Sequence, residues 1–211
     1  MARHTGPVCR LCRREGQKLF LKGTRCYTEK CAIERRGYPP GVHGRMASRR
    51  RKQSEYATQL REKQKVKRIY GVLESQFENY FTKSAKTPGV TGENLLVMLE
   101  RRLDNVIYRL VLAPSRKAGR QLVRHRHIVV NGRVVDVPSY QVSPGEKIQV
   151  KEKSREMPLI LGSIESRGKE AILPWLEVDF KSQSGSMVEM PSRETIPIAA
   201  EEQLIVELYS K

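Results

Sequence analysis

Apolar side chains recur at steps of three and four between residues 91 and 112. There Leu95, Leu99, Leu103, Val106, Ile107 and Leu110 form the clearest helical stripe in the chain. Thr91 suits the N-cap of that helix, and Glu93 suits its first turn. Two further helices are predicted before it. Ser54 with Glu55 opens one that runs to about Tyr70, where Gly71 ends it; its stripe of Tyr56, Leu60, Val66, Ile69 and Tyr70 is broken. The other carries Phe77, Tyr80, Phe81 and Ala85 on one face, which is predicted to be core, and Pro88-Gly89 closes it. Pro114-Ser115 then ends the long helix and caps another. In this next helix Arg116, Arg120 and Arg124 share a face with Lys117 beside them, while Ala118 and Leu122 point toward the preceding helix.

At Ile128 the period changes from helical to alternating. Ile128-Val129-Val130, the turn Asn131-Gly132 and Arg133-Val134-Val135 read as a tight hairpin, because Asn and Gly tolerate the positive φ that such a turn demands. Pro144-Gly145 leads to a third strand at Lys147-Ile148-Gln149-Val150. A short helix is predicted over about Leu159–Arg167, and strands over Trp175–Phe180 and Gln203–Tyr209, both of which alternate. The first 45 residues have little periodicity, and Tyr38-Pro39-Pro40-Gly41 is a turn or extended segment. The class is α+β, with helices first and short strands after.

Charge adds what the pattern lacks. The 211 residues carry a formal net charge of +17, and the isoelectric point is near 10.0. Residues 1–70 hold 20 Lys or Arg against 5 Asp or Glu, and residues 101–136 hold nine against two. Two basic zones are thus mounted on a slightly acidic remainder. Such a balance points to a polyanionic partner, with nucleic acid leading, because each cation placed at a phosphate releases counterions. The absence of an apolar run near ~18 residues and of a signal-peptide core argues against a membrane and for a cytoplasmic protein.

The candidate RNA contacts follow from the two zones. In the first they are Arg45, Arg49, Arg50, Arg51 and Lys52, then Arg61, Lys63, Lys65, Lys67 and Arg68 on the helix from Ser54. In the second they are Arg116, Lys117, Arg120, Arg124, Arg126, His127 and Arg133. Cys9, Cys12, Cys26 and Cys31 make C-x2-C-x13-C-x4-C, two close pairs across a loop, the arrangement of a four-thiolate metal site. In a reducing compartment this favours zinc over disulfides, with an iron–sulfur cluster as the alternative that spacing does not separate. His43 is left outside that site, His125 is expected to pack between helix and hairpin, and Asp104-Asn105 to support local hydrogen bonding. No nucleophile–base set, phosphate loop or paired carboxylates stand in a persuasive context, so neither an enzyme nor a small-molecule substrate is indicated.

The segment Arg102-Leu103-Asp104-Asn105-Val106 through Ser115-Arg116, Gln121-Leu122-Val123 and Val130-Asn131-Gly132-Arg133-Val134-Val135 resembles the RNA-binding module of the family of bacterial small-subunit ribosomal protein four. Leu60-Arg61-Glu62-Lys63-Gln64-Lys65, Pro40-Gly41-Val42-His43-Gly44 and the ending Leu204-Ile205-Val206-Glu207-Leu208-Tyr209-Ser210 resemble the same family outside the module, so the likeness covers essentially the whole chain. It implies a mostly helical domain over 46–98, completed by about 162–211, with the module inserted over 99–161. In the module two helices would pack on a short antiparallel sheet. A cysteine-rich, metal-bound arm over 1–45 would precede both, since the four cysteines place the chain in the family's metal-binding subset.

The resemblance also implies function: a structural constituent of the small ribosomal subunit that binds ribosomal RNA at a multi-helix junction, nucleates assembly and supports decoding accuracy. Small-subunit protein five would be a neighbour, and messenger RNA would pass nearby where it enters the subunit. Some members of the family also repress their own translation. An RNA-modifying enzyme carrying the same module, or a translational regulator, are the competing readings. What remains outside 99–161 is too small and too basic for a catalytic domain.

Overall fold

In a computed structural model that describes residues 3–48, 54–168 and 172–210, helices run over Cys9–Glu15 (α1), Ala32–Arg35 (α2), Glu55–Tyr70 (α3), Glu74–Lys86 (α4), Thr91–Glu100 (α5), Leu103–Arg109 (α6), Arg116–Arg124 (α7), Pro158–Arg167 (α8) and Glu202–Tyr209 (α9). Strands lie at Ile128–Val130 (β1), Arg133–Val134 (β2), Lys147–Val150 (β3), Leu176–Asp179 (β4) and Ser184–Met187 (β5). They form one antiparallel sheet in the order β2-β1-β3-β5-β4. The chain divides into two units, Met1–Gly92 with Ile198–Lys211, and Glu93–Pro197. Among the described residues no helix is long and apolar enough to cross a membrane.

In the first unit the caps act as the sequence predicts. The Ser54 hydroxyl accepts from the Ala57 N–H at 3.3 Å, and Gly71 ends α3 in the left-handed conformation, φ 65°. Val66, Tyr70, Phe77 and Tyr80 are buried on α3 and α4. Residues 203–209, expected as a strand, are helical and pack along α3. The reason is tertiary: as a helix, α9 stacks Tyr209 on Phe81 at 4.5 Å and on Phe77 at 6.4 Å, and brings Glu207 to Gln59 Nε2 at 3.0 Å. Local β-propensity loses to that packing. The arm is part of this unit rather than a separate extension, because Glu15 at the end of α1 is gripped by Arg61 and Arg68 of α3.

In the second unit the single long stripe is divided between α5 and α6. Arg102 is extended (ψ 133°), and the chain bends there because the Leu103 and Asp104 N–H groups donate to Tyr140 and Pro138 carbonyls at 2.9 and 3.2 Å. Leu103, Val106, Ile107 and Leu110 still share one core, with Leu122, Val123, Ile128, Ile148, Trp175 and Met187. The hairpin is in register Val129↔Val134 and Val130↔Arg133, with φ of 48° at Asn131 and 78° at Gly132. β5 was not predicted, and it carries the correction to the domain map. Residues 162–197, expected with the helical domain, cluster with the module because β5 pairs with β3 and β4 extends the same sheet. Gly185 permits it: a Cβ there would lie 2.6 Å from Leu110 Cδ2 and 2.7 Å from the Glu177 carbonyl.

Candidate nucleic-acid interface

Helix α7 lies so close to α6 that a Cβ on Gly119 would come within 2.6 Å of the Asp104 carbonyl oxygen. That approach decides what its arginines do. Arg120, expected on the RNA-facing side, is buried and reaches Asp104 Oδ2 at 3.4 Å, beside Arg102, which makes a two-pronged contact with the same carboxylate at 2.7 and 3.0 Å. Arg116 is half-buried: its Nε donates to Asn105 Oδ1 at 2.7 Å and its guanidinium sits 4.7 Å from the Tyr108 ring centroid. Asn105 and Arg109 both donate to the fully buried Glu100, at distances of 2.6 to 3.0 Å. Asp104-Asn105 thus support local hydrogen bonding as expected, and two of the three arginines repeating along α7 are tied to that network.

The cations left to solvent run from the end of α7 into the hairpin. Lys117, Arg124, Arg126 and Arg133 are exposed. Arg126, in the left-handed region at φ 62°, donates to Asp136 Oδ2 at 3.1 Å, a contact open to solvent and readily exchanged for a phosphate. His127 is half-buried with Nδ1 2.9 Å from Ser154 Oγ; burial first, then His125 and Lys151, push its pKa below the usual imidazole value. His125 is exposed rather than packed between helix and hairpin, because it lies just past the end of α7.

The α3 cations divide in a similar way. Lys63 is buried and pairs with Glu74 at 2.6 Å, Lys67 pairs with the other Glu74 oxygen at 2.5 Å, and Lys65 pairs with Glu62 at 2.6 Å. Arg61 and Arg68 hold Glu15. Burial would raise the Glu74 pKa, but Lys63, Lys67 and Tyr209 outweigh it and lower the carboxyl to about 2. All five side chains offered by the sequence as RNA contacts on this helix therefore have internal partners. Arg45 is exposed, with its guanidinium 5.4 Å from the Tyr38 ring centroid. Arg49, Arg50, Arg51 and Lys52 lie outside the described residues.

In the arm the four cysteines are free thiols that line one small pocket with Val8, Leu21 and Ile33. Cys12, Cys26 and Cys31 are buried and Cys9 is half-buried; burial pushes the Cys12 and Cys26 thiols up. The two sequence pairs do converge. Among the described residues, however, no group of three or more His, Cys, Asp or Glu side chains is placed to hold a metal ion. His43 is exposed and does not line the pocket.

Comparison with known proteins accounts for both units. The family described as ribosomal protein S4/S9 N-terminal domain matches residues 3–100, and the S4 domain matches 101–148. The small ribosomal subunit protein uS4 of Halothermothrix orenii is 59% identical over 211 residues, covering all of both chains. The chain belongs to the uS4 family. The uS4 proteins of Thermodesulfovibrio yellowstonii and Thermus thermophilus agree, at 57% and 54% identity over the full length of each chain. The S4-domain match takes in α6, α7, β1 and β2 and reaches into β3, so most of the exposed cations of the second unit fall inside it. Exposed cations beyond the expected contacts include Lys147, Lys153 and Lys181 in this unit, and Arg3, Arg10, Arg14, Lys22, Arg25, Lys30, Arg35 and Arg36 in the arm. For the arm cations the regional charge excess is the one signal in the sequence, and Lys147 and Lys153 lie outside both basic zones.

Proposed function

We propose that this protein is a structural constituent of the small ribosomal subunit that binds small-subunit ribosomal RNA directly, at a multi-helix junction, and so nucleates assembly and supports decoding accuracy. It works in the cytoplasm as part of the ribosome, beside small-subunit protein five and near the point where messenger RNA enters. The observation that carries this reading is identity of 57% and 59% to uS4 proteins over 211 residues. The exposed cations of the second unit supply the chemistry. Phosphate contacts fix position without reading sequence, so the shape of a folded junction provides the specificity. No catalytic role is proposed. Hydroxyl-radical footprinting on naked small-subunit RNA tests the reading: protection confined to one junction is expected, and protection scattered along the RNA would contradict it.

The cysteines support a narrower proposal, that the arm takes zinc, with an iron–sulfur cluster as the alternative. Spacing in two pairs and convergence on one pocket favour it. A bound metal would supply a cross-link in a segment poor in apolar side chains. Elemental analysis with an absorption spectrum decides: one zinc per chain and no visible band is expected, whereas a visible charge-transfer band would replace zinc with a cluster.

A further inference from the structure

An acid, Glu146, sits at the start of β3 beside the exposed Lys147 and across from the hairpin turn that leads to Arg133. The donors that meet its carboxylate are neutral. The Tyr140 hydroxyl donates to Oε1 at 2.5 Å, the Ser143 N–H donates to Oε2 at 2.8 Å, and Asn131 Nδ2 lies 3.5 Å from Oε1. The bond to Glu146 first, and burial second, push the Tyr140 pKa up, so its hydroxyl remains a donor. The loop that Glu146 grips is itself anchored to α6. The Leu103 N–H donates to the Tyr140 carbonyl at 2.9 Å, and Arg101 Nε donates to the Val142 carbonyl at 2.8 Å. On its other side β3 holds the turn: the Asn131 N–H donates to the Lys147 carbonyl and the Lys147 N–H to Asn131 Oδ1, both at 2.9 Å.

The hairpin needs such a tie. Strand β2 is two residues long, exposed at both, and lies at the edge of the sheet. A short edge strand with one neighbour opens easily. Val130 faces Arg133 on one side and Ile148 on the other, so the strands that carry Arg133 and Lys147 flank the end of β1. How far apart these two exposed cations stand therefore depends on the turn between them. A carboxylate in this neighbourhood repels phosphate, so by charge alone it opposes the function of the segment. We propose that Glu146 is a positioning residue: by tying the Asn131-Gly132 turn to the loop over 140–143, it fixes where Arg133 and Lys147 meet RNA, without touching RNA itself. The gain is preorganisation, since cations already in place lose less freedom on binding. The proposal rests on the RNA-binding reading above.

The test measures the affinity of the full chain for naked, transcribed small-subunit RNA at roughly 0.1 M salt. Glu146→Gln removes a negative charge but sets an amide donor among donors, and it is expected to bind about three- to tenfold more weakly. Charge alone predicts the opposite sign, tighter binding once the acid is gone. Tyr140→Phe leaves the charge untouched and is expected to bind about two- to threefold more weakly. Both losses should shrink below about 1.5-fold in a chain that also carries Arg133→Gln and Lys147→Gln, because the groups being positioned are then absent. Equal or tighter binding by Glu146→Gln would overturn the proposal. So would the same loss in both backgrounds, which would mark a general loosening of the fold. Either result leaves the RNA-binding reading intact, whereas a wild-type chain that fails to bind this RNA at all would overturn both.

Discussion

Arg109 and Arg124 are both arginines of the second unit, yet burial gives them opposite tasks. Arg109 neutralises Glu100 in a site closed to water, so Arg109→Gln strips a buried carboxylate of the cation that faces it and should cost about 3 kcal/mol in urea unfolding. Arg124 is exposed, so Arg124→Gln should change stability by less than roughly 0.5 kcal/mol while weakening RNA binding several-fold. Equal melts for the two variants would show that the Glu100 site is not closed. Such roles were not legible in the sequence, where Arg116, Arg120 and Arg124 simply repeat every four residues. Which of them stays wet depends on Asp104 and Asn105, more than ten residues away, and on the glycine that lets α7 close upon them. The same dependence on distant partners hid the roles of Arg61 and Arg68, whose acid, Glu15, lies in the arm.

At the scale of elements, α3, α4 and α9 meet around Glu74, which accepts from Lys63, Lys67 and the Tyr209 hydroxyl. Its folded pKa of about 2 lies below the ordinary 4.5, so the contribution is fully present above pH 4.5 and is lost as pH falls through 2. Because this side chain is 46% exposed, screening limits the gain to about 1 kcal/mol. Glu74→Gln should therefore lower the urea midpoint at pH 7 and flatten its decline between pH 4.5 and 2; parallel acid curves for variant and wild type would contradict this. A second change belongs to the sheet. Gly185→Ala forces a methyl against Leu110 and the Glu177 carbonyl and should destabilise by about 2 kcal/mol, checked by thermal melting of the full chain. The hairpin at Asn131-Gly132 and the Ser54 and Ser115 caps were readable because local chemistry alone fixes them. Strand β5, Ser184-Gly185-Ser186-Met187, was not, since no β-branched or aromatic residue announces it. Leu204, Val206 and Leu208 alternate as a strand would, and it is packing along α3 with Tyr209 stacked on α4 that decides for helix α9.

For the whole molecule the informative quantity is the charge of +17 after internal pairing is counted. Among the described residues the α3 cations, Arg120 and Arg116 have partners within the fold, so the cations left for phosphate include those exposed in the arm and those exposed from Lys117 to Lys153. That two basic zones exist was legible from composition, and the family from motifs spread over the chain. The most direct test is the equilibrium affinity of the full chain for naked small-subunit RNA, measured across a salt series from about 50 to 200 mM. Several phosphates gripped at once should make affinity fall by roughly a hundredfold or more over that range, with a linear log–log slope. An affinity that barely changes with salt would contradict the account.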